Sequence, residues 1–240
     1  MNIGIIGHGE IGKSVEQVYR DYSKFNLTII DKEYVCGDGV IDIMNICLPL
    51  FNDYKTVVGE YIKKYKPKLC IIHTSTTPGT TLEISSRTEC SVVHSPVRGV
   101  HPNLYKGLKT FIKYIGYTDQ KGKELCESHF DDLEIKYQSF EGPCNTELAK
   151  LYSTTYYGLC IAFHGEMKRH FDKLELNYNI ITDWNETYNS GYTEIGMRNV
   201  VRPILTPPID SIGGHCVIPN VKLLKQEFDS LALDLILKYD

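Results

Sequence analysis

Three stretches of this 240-residue chain carry residue types and spacings that can do chemistry. The first is GHGEIG at 7–12. Gly7 permits a tight turn, Gly9 lets backbone approach a pyrophosphate, and Gly12 lets a following helix pack closely on its strand. The helix N-terminus behind such a turn offers unpaired N–H groups and a positive dipole end to phosphates. The second is GGHCVIPN at 213–220, which sets Cys216 between a glycine pair and Pro219; a cysteine in such a loop is either a nucleophile or a buried structural thiol. The third is Lys150, with Glu147 three residues before it and Thr154 four residues after, a spacing that puts all three on one helix face. There the Lys150 amine could aim into a cleft, or pair with Glu147 on a solvated surface.

The elements that must position these groups can be read from hydrophobic periodicity. The apolar run NIGII feeds the glycine turn, and KSVEQVYRDY after it has helical spacing, so the start reads as strand, turn, helix. A second apolar run, LTII, ends on Asp31, 24 residues beyond Gly7. An acid there would accept hydrogen bonds from the adenosine ribose hydroxyls and repel a 2′-phosphate, favouring NAD over NADP, although Lys32 lies beside it and adenosylmethionine enzymes use related turns. The candidate cofactor contacts are Gly7, His8, Gly9, Glu10, Ile11, Gly12, Asp31, Lys32, Leu48 and Thr76.

Further strands are predicted at 40–47, 69–74, 91–94 and 111–116, with helices at 53–65 and 121–132. Alternating strands and helices imply an α/β fold, a Rossmann-type doubly wound, mainly parallel sheet. After EGPCN at 141–145 the pattern changes. Residues 146–173 read as one long helix with Leu148, Leu151, Thr155, Leu159, Ala162 and Phe163 on one stripe, followed by helices at 177–188 and 221–239 around a Pro-rich piece. The division expected is an NAD-binding domain at 1–142 and a smaller all-α dimerisation and catalytic domain at 143–240, with the stripe as a homodimer surface.

Composition narrows the partners. Net charge is -4, and the basic run KKYKPK at 63–68 reads as the solvated end of a helix, so nucleic acid is not expected. No segment approaches the roughly 18 apolar residues of a spanning helix, and the start lacks a leader pattern, so a cytoplasmic protein off the membrane is expected. Eight cysteines without a C-x-x-C pair read as reduced thiols, and no metal site is recognisable among the histidines His94, His101, His164 and His215. His94, Arg98 and His101 are candidates to bind an anionic substrate, with satisfied loop or core histidines as the competing reading.

STTPGTT at 75–81, TELAKLYSTTYYGLCIAFHGE at 146–166 and SIGGHCVIPN at 211–220 are similar to the Ser-Thr-Val-Pro-Pro-Gly-Thr-Thr segment, Ala-Glu-x-x-Lys helix and Gly-Gly-His-Cys loop of the UDP-glucose/GDP-mannose dehydrogenase family. The order agrees across nearly the whole chain, and SPVRG at 95–99 stands where that family has Ser-Pro-Glu. The resemblance implies an NAD-dependent, four-electron oxidation of a sugar alcohol to a carboxylate. Cys216 would be the nucleophile and Lys150 the oxyanion stabiliser, Thr76 would lie beside the reacting carbon, and Thr154 and Asn220 would stand where the family has Asn and Asp. Val97 replaces a carboxylate, and neither it nor Asn220 can act as a base. The resemblance also implies a shortened form without the family's C-terminal substrate-nucleotide domain. Three readings follow: a dehydrogenase acting on a sugar alcohol, a two-electron hydroxyacid dehydrogenase in which Lys150 alone acts, and a catalytically impaired NAD-binding or regulatory partner subunit.

Overall fold

The apolar runs become strands of one sheet in a computed structural model that describes residues 1–37, 39–214 and 216–240. Along the chain the elements are β1 (Asn2–Ile6), α1 (Glu10–Arg20), β2 (Asn26–Ile30), β3 (Val35–Cys36), β4 (Ile43–Ile46), α2 (Tyr54–Tyr65), β5 (Leu69–Ile72), α3 (Thr80–Ser86), β6 (Ser91–His94), α4 (Leu104–Thr110), β7 (Lys113–Tyr117), α5 (Gln120–Asp132) and β8 (Tyr137–Glu141). They are followed by α6 (Cys144–Lys173), α7 (Asn179–Glu194), a 3-10 turn (Arg198–Val200), α8 (Val217–Glu227) and α9 (Leu231–Leu237).

Two compact units result, Met1–Lys150 and Leu151–Asp240. In the first, the strand order is β3-β2-β1-β4-β5-β6-β7-β8. All neighbours are parallel except β2–β3 and β6–β7, so the expected Rossmann-type, mainly parallel α/β sheet is present. Order reverses at β1, where β2 lies on one side and β4 on the other; this is the switch point at which doubly wound sheets bind ligands. Both faces of the sheet are covered. Ile3 and Ile5 of β1 join Val15, Val18 and Phe130 in one core, and Ile6 joins Met44, Val58 and Ile84 in the other. That burial on both sides explains why the strands read as continuous apolar runs.

The second unit is helical. Leu151, Thr155 and Ala162 of α6 are buried, as are Val221 and Leu224 of α8 and Leu233 and Ile236 of α9. Gly158 sets a close approach, because a Cβ there would lie 2.3 Å from Val217 Cγ1. Phe163 departs from the expected stripe, since it is 56 % exposed while Ala162 is buried.

The helix expected over 221–239 is broken, with Phe228 and Ser230 in extended backbone. In one unbroken helix Leu233 would point about 120° away from Val221, so the break lets both face the core. α3, α4, β3 and β8 are additional to the elements expected from periodicity. Among the described residues, no helix is long and apolar enough to cross a membrane.

Candidate active site

The glycine turn follows β1 at the carboxyl edge of the sheet. Gly7 has φ of 90°, a left-handed value that favours glycine, and a Cβ there would crowd the Cys47 carbonyl carbon and the Leu48 side chain, each at 3.0 Å. Gly12 is constrained more tightly, because a Cβ would stand 2.0 Å from the Gly7 carbonyl oxygen. Gly9 differs in kind. It is the N-cap of α1 without a side-chain cap, and a Cβ there meets nothing within 4 Å. The turn therefore leaves space in front of the first N–H groups of α1, the place a pyrophosphate would take.

Asp31 stands beside this turn. Its carboxylate accepts the backbone N–H of His8 at 2.5 Å and of Lys32 at 2.7 Å. These two backbone hydrogen bonds hold its carboxyl below the usual range, so it faces the turn ionised. The His8 ring is held by Glu16, 2.6 Å from Nε2, and by the Tyr34 hydroxyl at Nδ1. With Nε2–H donating to the carboxylate, Nδ1 is the acceptor for Tyr34. Glu10 at the head of α1 pairs with His101 Nδ1 at 2.6 Å. Leu48 is half-buried beside Gly7, and its carbonyl accepts the Thr74 hydroxyl at 2.5 Å. Gly7, His8, Asp31 and Leu48 are thus brought together, and the residues fit the phosphates and ribose of a dinucleotide.

Glu147 has no exposed surface and is the residue whose role the sequence reading missed. Its Oε1 accepts from the Thr81 N–H at 2.8 Å, the Thr81 hydroxyl at 2.6 Å and the Thr76 hydroxyl at 3.3 Å, while Oε2 accepts from the Gly79 N–H at 2.7 Å. A carboxylate from the start of α6 therefore caps α3 and locks the 75–81 loop. Thr76 is fully buried within that loop. Glu147 is turned inward instead of sharing a solvated face with Lys150, which is half-buried one turn further along α6.

The histidines sort by environment. His94 is fully buried; its Nε2 donates to the Thr74 carbonyl at 3.0 Å, which leaves Nδ1 to accept from the Thr146 hydroxyl at 2.8 Å. Burial pushes it down to about 3, so it is a neutral strut and no anion binder. His164 bonds the Cys160 carbonyl at 2.8 Å. Arg98 lies over the rings of Phe111 and Tyr114. His215 falls outside the described residues. Among the described residues no group of three or more His, Cys, Asp or Glu side chains is arranged to hold a metal ion. Val97 is packed in the apolar core.

A buried polar chain beneath the carboxyl edge was also missed. The Lys113 amine donates to the carbonyls of Ser95 and Pro96, the latter at 3.0 Å, and approaches His73 Nδ1 at 3.3 Å. His73 Nε2 then meets Asn45 at 2.9 Å, Asn45 reaches Tyr19, and the Tyr19 hydroxyl lies 2.7 Å from His129 Nε2. Burial pushes Lys113 down to about 7 and His129 to about 4. Lys113, His73, His94 and His129 take up protons more readily in the unfolded chain. Stability is therefore expected to be full above about pH 6.5 for the histidines and to fall as pH drops through 4 and 3. For Lys113, whose ordinary value is 10.5, stability should rise from about pH 7 to 9, above which the buried Cys47, Cys70, Cys90 and Cys126 thiols, pushed up by burial, oppose the rise. Urea midpoints followed by circular dichroism check both limbs; Lys113→Met should abolish the alkaline rise and leave the acid limb.

In the second unit Cys216 is the N-cap of α8 and half-buried. Its carbonyl accepts the Asn220 N–H at 3.2 Å, and the Asn220 carboxamide donates to the Thr154 hydroxyl at 2.7 Å. Thr154 in turn donates to the Leu151 carbonyl at 2.9 Å. Cys216, Asn220 and Thr154 are thus linked through two contacts, and Asn220 is 5 % exposed, fixed as a donor to Thr154.

No family model and no curated protein sequence matches the chain. Solved structures do. UDP-D-ManNAc dehydrogenase from Pyrococcus horikoshii matches with a TM-score of 0.82 at 18% identity, over 100% of this chain and 68% of that one. A UDP-glucose dehydrogenase from Pyrobaculum islandicum matches at 0.76 and 14% identity, over 99% and 67%. The 3-hydroxyisobutyrate dehydrogenase of Mycobacterium tuberculosis matches at 0.67 and 14%, over 98% and 90%. The chain thus spans about two thirds of the sugar dehydrogenases it is similar to, and at these identities the likeness is one of fold.

Proposed function

We propose that this protein is an NAD-dependent dehydrogenase acting on a hydroxyl-bearing small molecule, a sugar alcohol or hydroxyacid. The observation that carries this reading is the open turn at Gly9 facing an ionised Asp31 at the sheet's switch point. The solved structures with this fold include sugar and hydroxyacid dehydrogenases, which supports the same reading. Bound there, a nicotinamide dinucleotide supplies the hydride acceptor. Gly7 and Gly9, with the N–H groups at Glu10 and Ile11, hold its phosphates, Gly12 lets α1 pack close behind the turn, Leu48 and Lys32 border it, and Asp31 takes the ribose hydroxyls. Asp31→Ser should narrow the preference for NAD over NADP by about tenfold, since an ionised carboxylate opposes a 2′-phosphate. Equal affinities for both dinucleotides in the unsubstituted protein would overturn that assignment.

In the same reading Cys216 is the nucleophile that holds the substrate carbon on Sγ at the aldehyde level, and Lys150 stabilises the oxyanion. Thr76 positions the 75–81 loop, and Thr154 and Asn220 fix the turn that carries Cys216.

A homodimer belongs to the proposal. The stripe expected to form it is buried within the chain at Leu151, Thr155 and Ala162; α6 instead leaves Tyr152, Tyr156 and Phe163 exposed, an apolar row that one copy could bury against another. Sedimentation velocity should find a dimer that Tyr156→Glu shifts to monomer; a monomer at all concentrations would remove this element.

A further inference from the structure

The basic run KKYKPK is not absorbed by the dinucleotide site. It lies at the opposite edge of the sheet: Lys68 immediately precedes β5 and Cys90 immediately precedes β6, whereas the glycine turn follows the carboxyl end of the parallel strand β1. A cleft of about 660 Å³ opens there between α2 and α3, within the range of small-molecule sites. Its floor is the buried Ile62, Pro67, Ile84 and Cys90.

Six cations and two carboxylates line this cleft in a chain whose net charge is -4. Lys55 and Arg87 share Glu83, and Lys68 pairs with Asp42. Lys63, Lys66 and Lys121 are exposed and pair with no carboxylate among the described residues. The carboxyl ends of α2 and α3 account for about one of the surplus charges, at roughly half a charge each.

Gly59 is the second observation. It lies inside α2 on the wall of the cleft, and a Cβ there would meet nothing within 4 Å. Glycine in a helix interior costs about 0.5–1 kcal/mol relative to alanine. The helix carries this cost at a place where a methyl would fit freely and would narrow only the cleft.

We infer that this cleft binds a nucleotide-sized organic anion, a molecule with a flat apolar body on the floor and a phosphate or carboxylate among Lys63, Lys66 and Lys121. It is a second ligand site, separate from the dinucleotide turn.

The test uses anilinonaphthalene sulfonate, an aromatic anion whose fluorescence rises on burial, with the full chain. The unsubstituted protein should show a saturable site whose affinity falls about tenfold or more in the triple variant Lys63→Glu, Lys66→Glu, Lys121→Glu, from three reversed ion contacts. Gly59→Phe, which fills the cleft and keeps all six cations, should abolish it, while Gly9→Val at the dinucleotide turn should leave it intact. Displacement by uridine monophosphate assigns the ligand to nucleotides, and displacement by benzoate alone assigns it to aromatic carboxylates. Absence of a saturable site, indifference to both cleft variants, loss in Gly9→Val, or displacement by neither competitor would overturn the inference.

Discussion

Glu147→Ala is expected to destabilise the sheet unit by about 3–5 kcal/mol, a large loss for one substitution. The carboxylate is fully buried and accepts from two backbone N–H groups, Gly79 and Thr81, and two hydroxyls, Thr76 and Thr81. Alanine leaves those donors buried and unpaired at the head of α3, where each unmade bond costs about 1–3 kcal/mol. Water entering the vacated space recovers part of this. Glu147→Gln keeps one full acceptor oxygen and should lose roughly half as much. Urea unfolding read by circular dichroism provides the comparison; an alanine variant within about 1 kcal/mol of the unsubstituted protein would show that the loop does not depend on this clamp.

Cys216→Ser is expected to carry the largest effect on activity. In the proposed reaction the thiol holds the substrate carbon through the second oxidation, so its loss should reduce acid formation by about a thousandfold or more. Residual turnover would release one NADH per substrate in place of two. α8 should survive, because Ser is a favourable N-cap and the backbone bond from Asn220 to residue 216 is retained. Lys150→Met should slow both oxidations. One NADH per substrate in the unsubstituted protein, with Cys216→Ser fully active, would assign the chemistry to Lys150 alone as in hydroxyacid dehydrogenases. Absence of turnover with any alcohol, despite NAD binding, would favour an impaired scaffold.

How much of this could be read from residues alone follows from where the physical signal lies. The strands β1, β2, β4, β5 and β6 are buried on both faces, so each announced itself as an apolar run. The glycine turn was legible because each glycine answers a separate steric demand. β8 was not, since YQSFE is an edge strand of half-exposed, polar residues. α3 is only seven residues long and its cap, Glu147, is distant in sequence, so local capping signals could not reveal it. Spacing placed Glu147 and Lys150 on one side of α6, but spacing carries no information on which side is covered by the 75–81 loop. Lys113 stayed hidden for a similar reason: FIKYIG reads as a strand, and nothing local shows that the carbonyls of Ser95 and Pro96 cover the lysine amine. The break before α9 is a tertiary choice that turns Leu233 and Ile236 inward.

The proposal rests on one claim, that the open glycine turn after β1 binds NAD. Titration calorimetry of NAD into the protein tests it most directly, beside Gly9→Val, whose side chain enters space that is open in the folded chain. The account predicts a saturable site, one per chain, that Gly9→Val abolishes while circular dichroism stays unchanged. No heat with the unsubstituted protein, or undiminished binding in Gly9→Val, would contradict it.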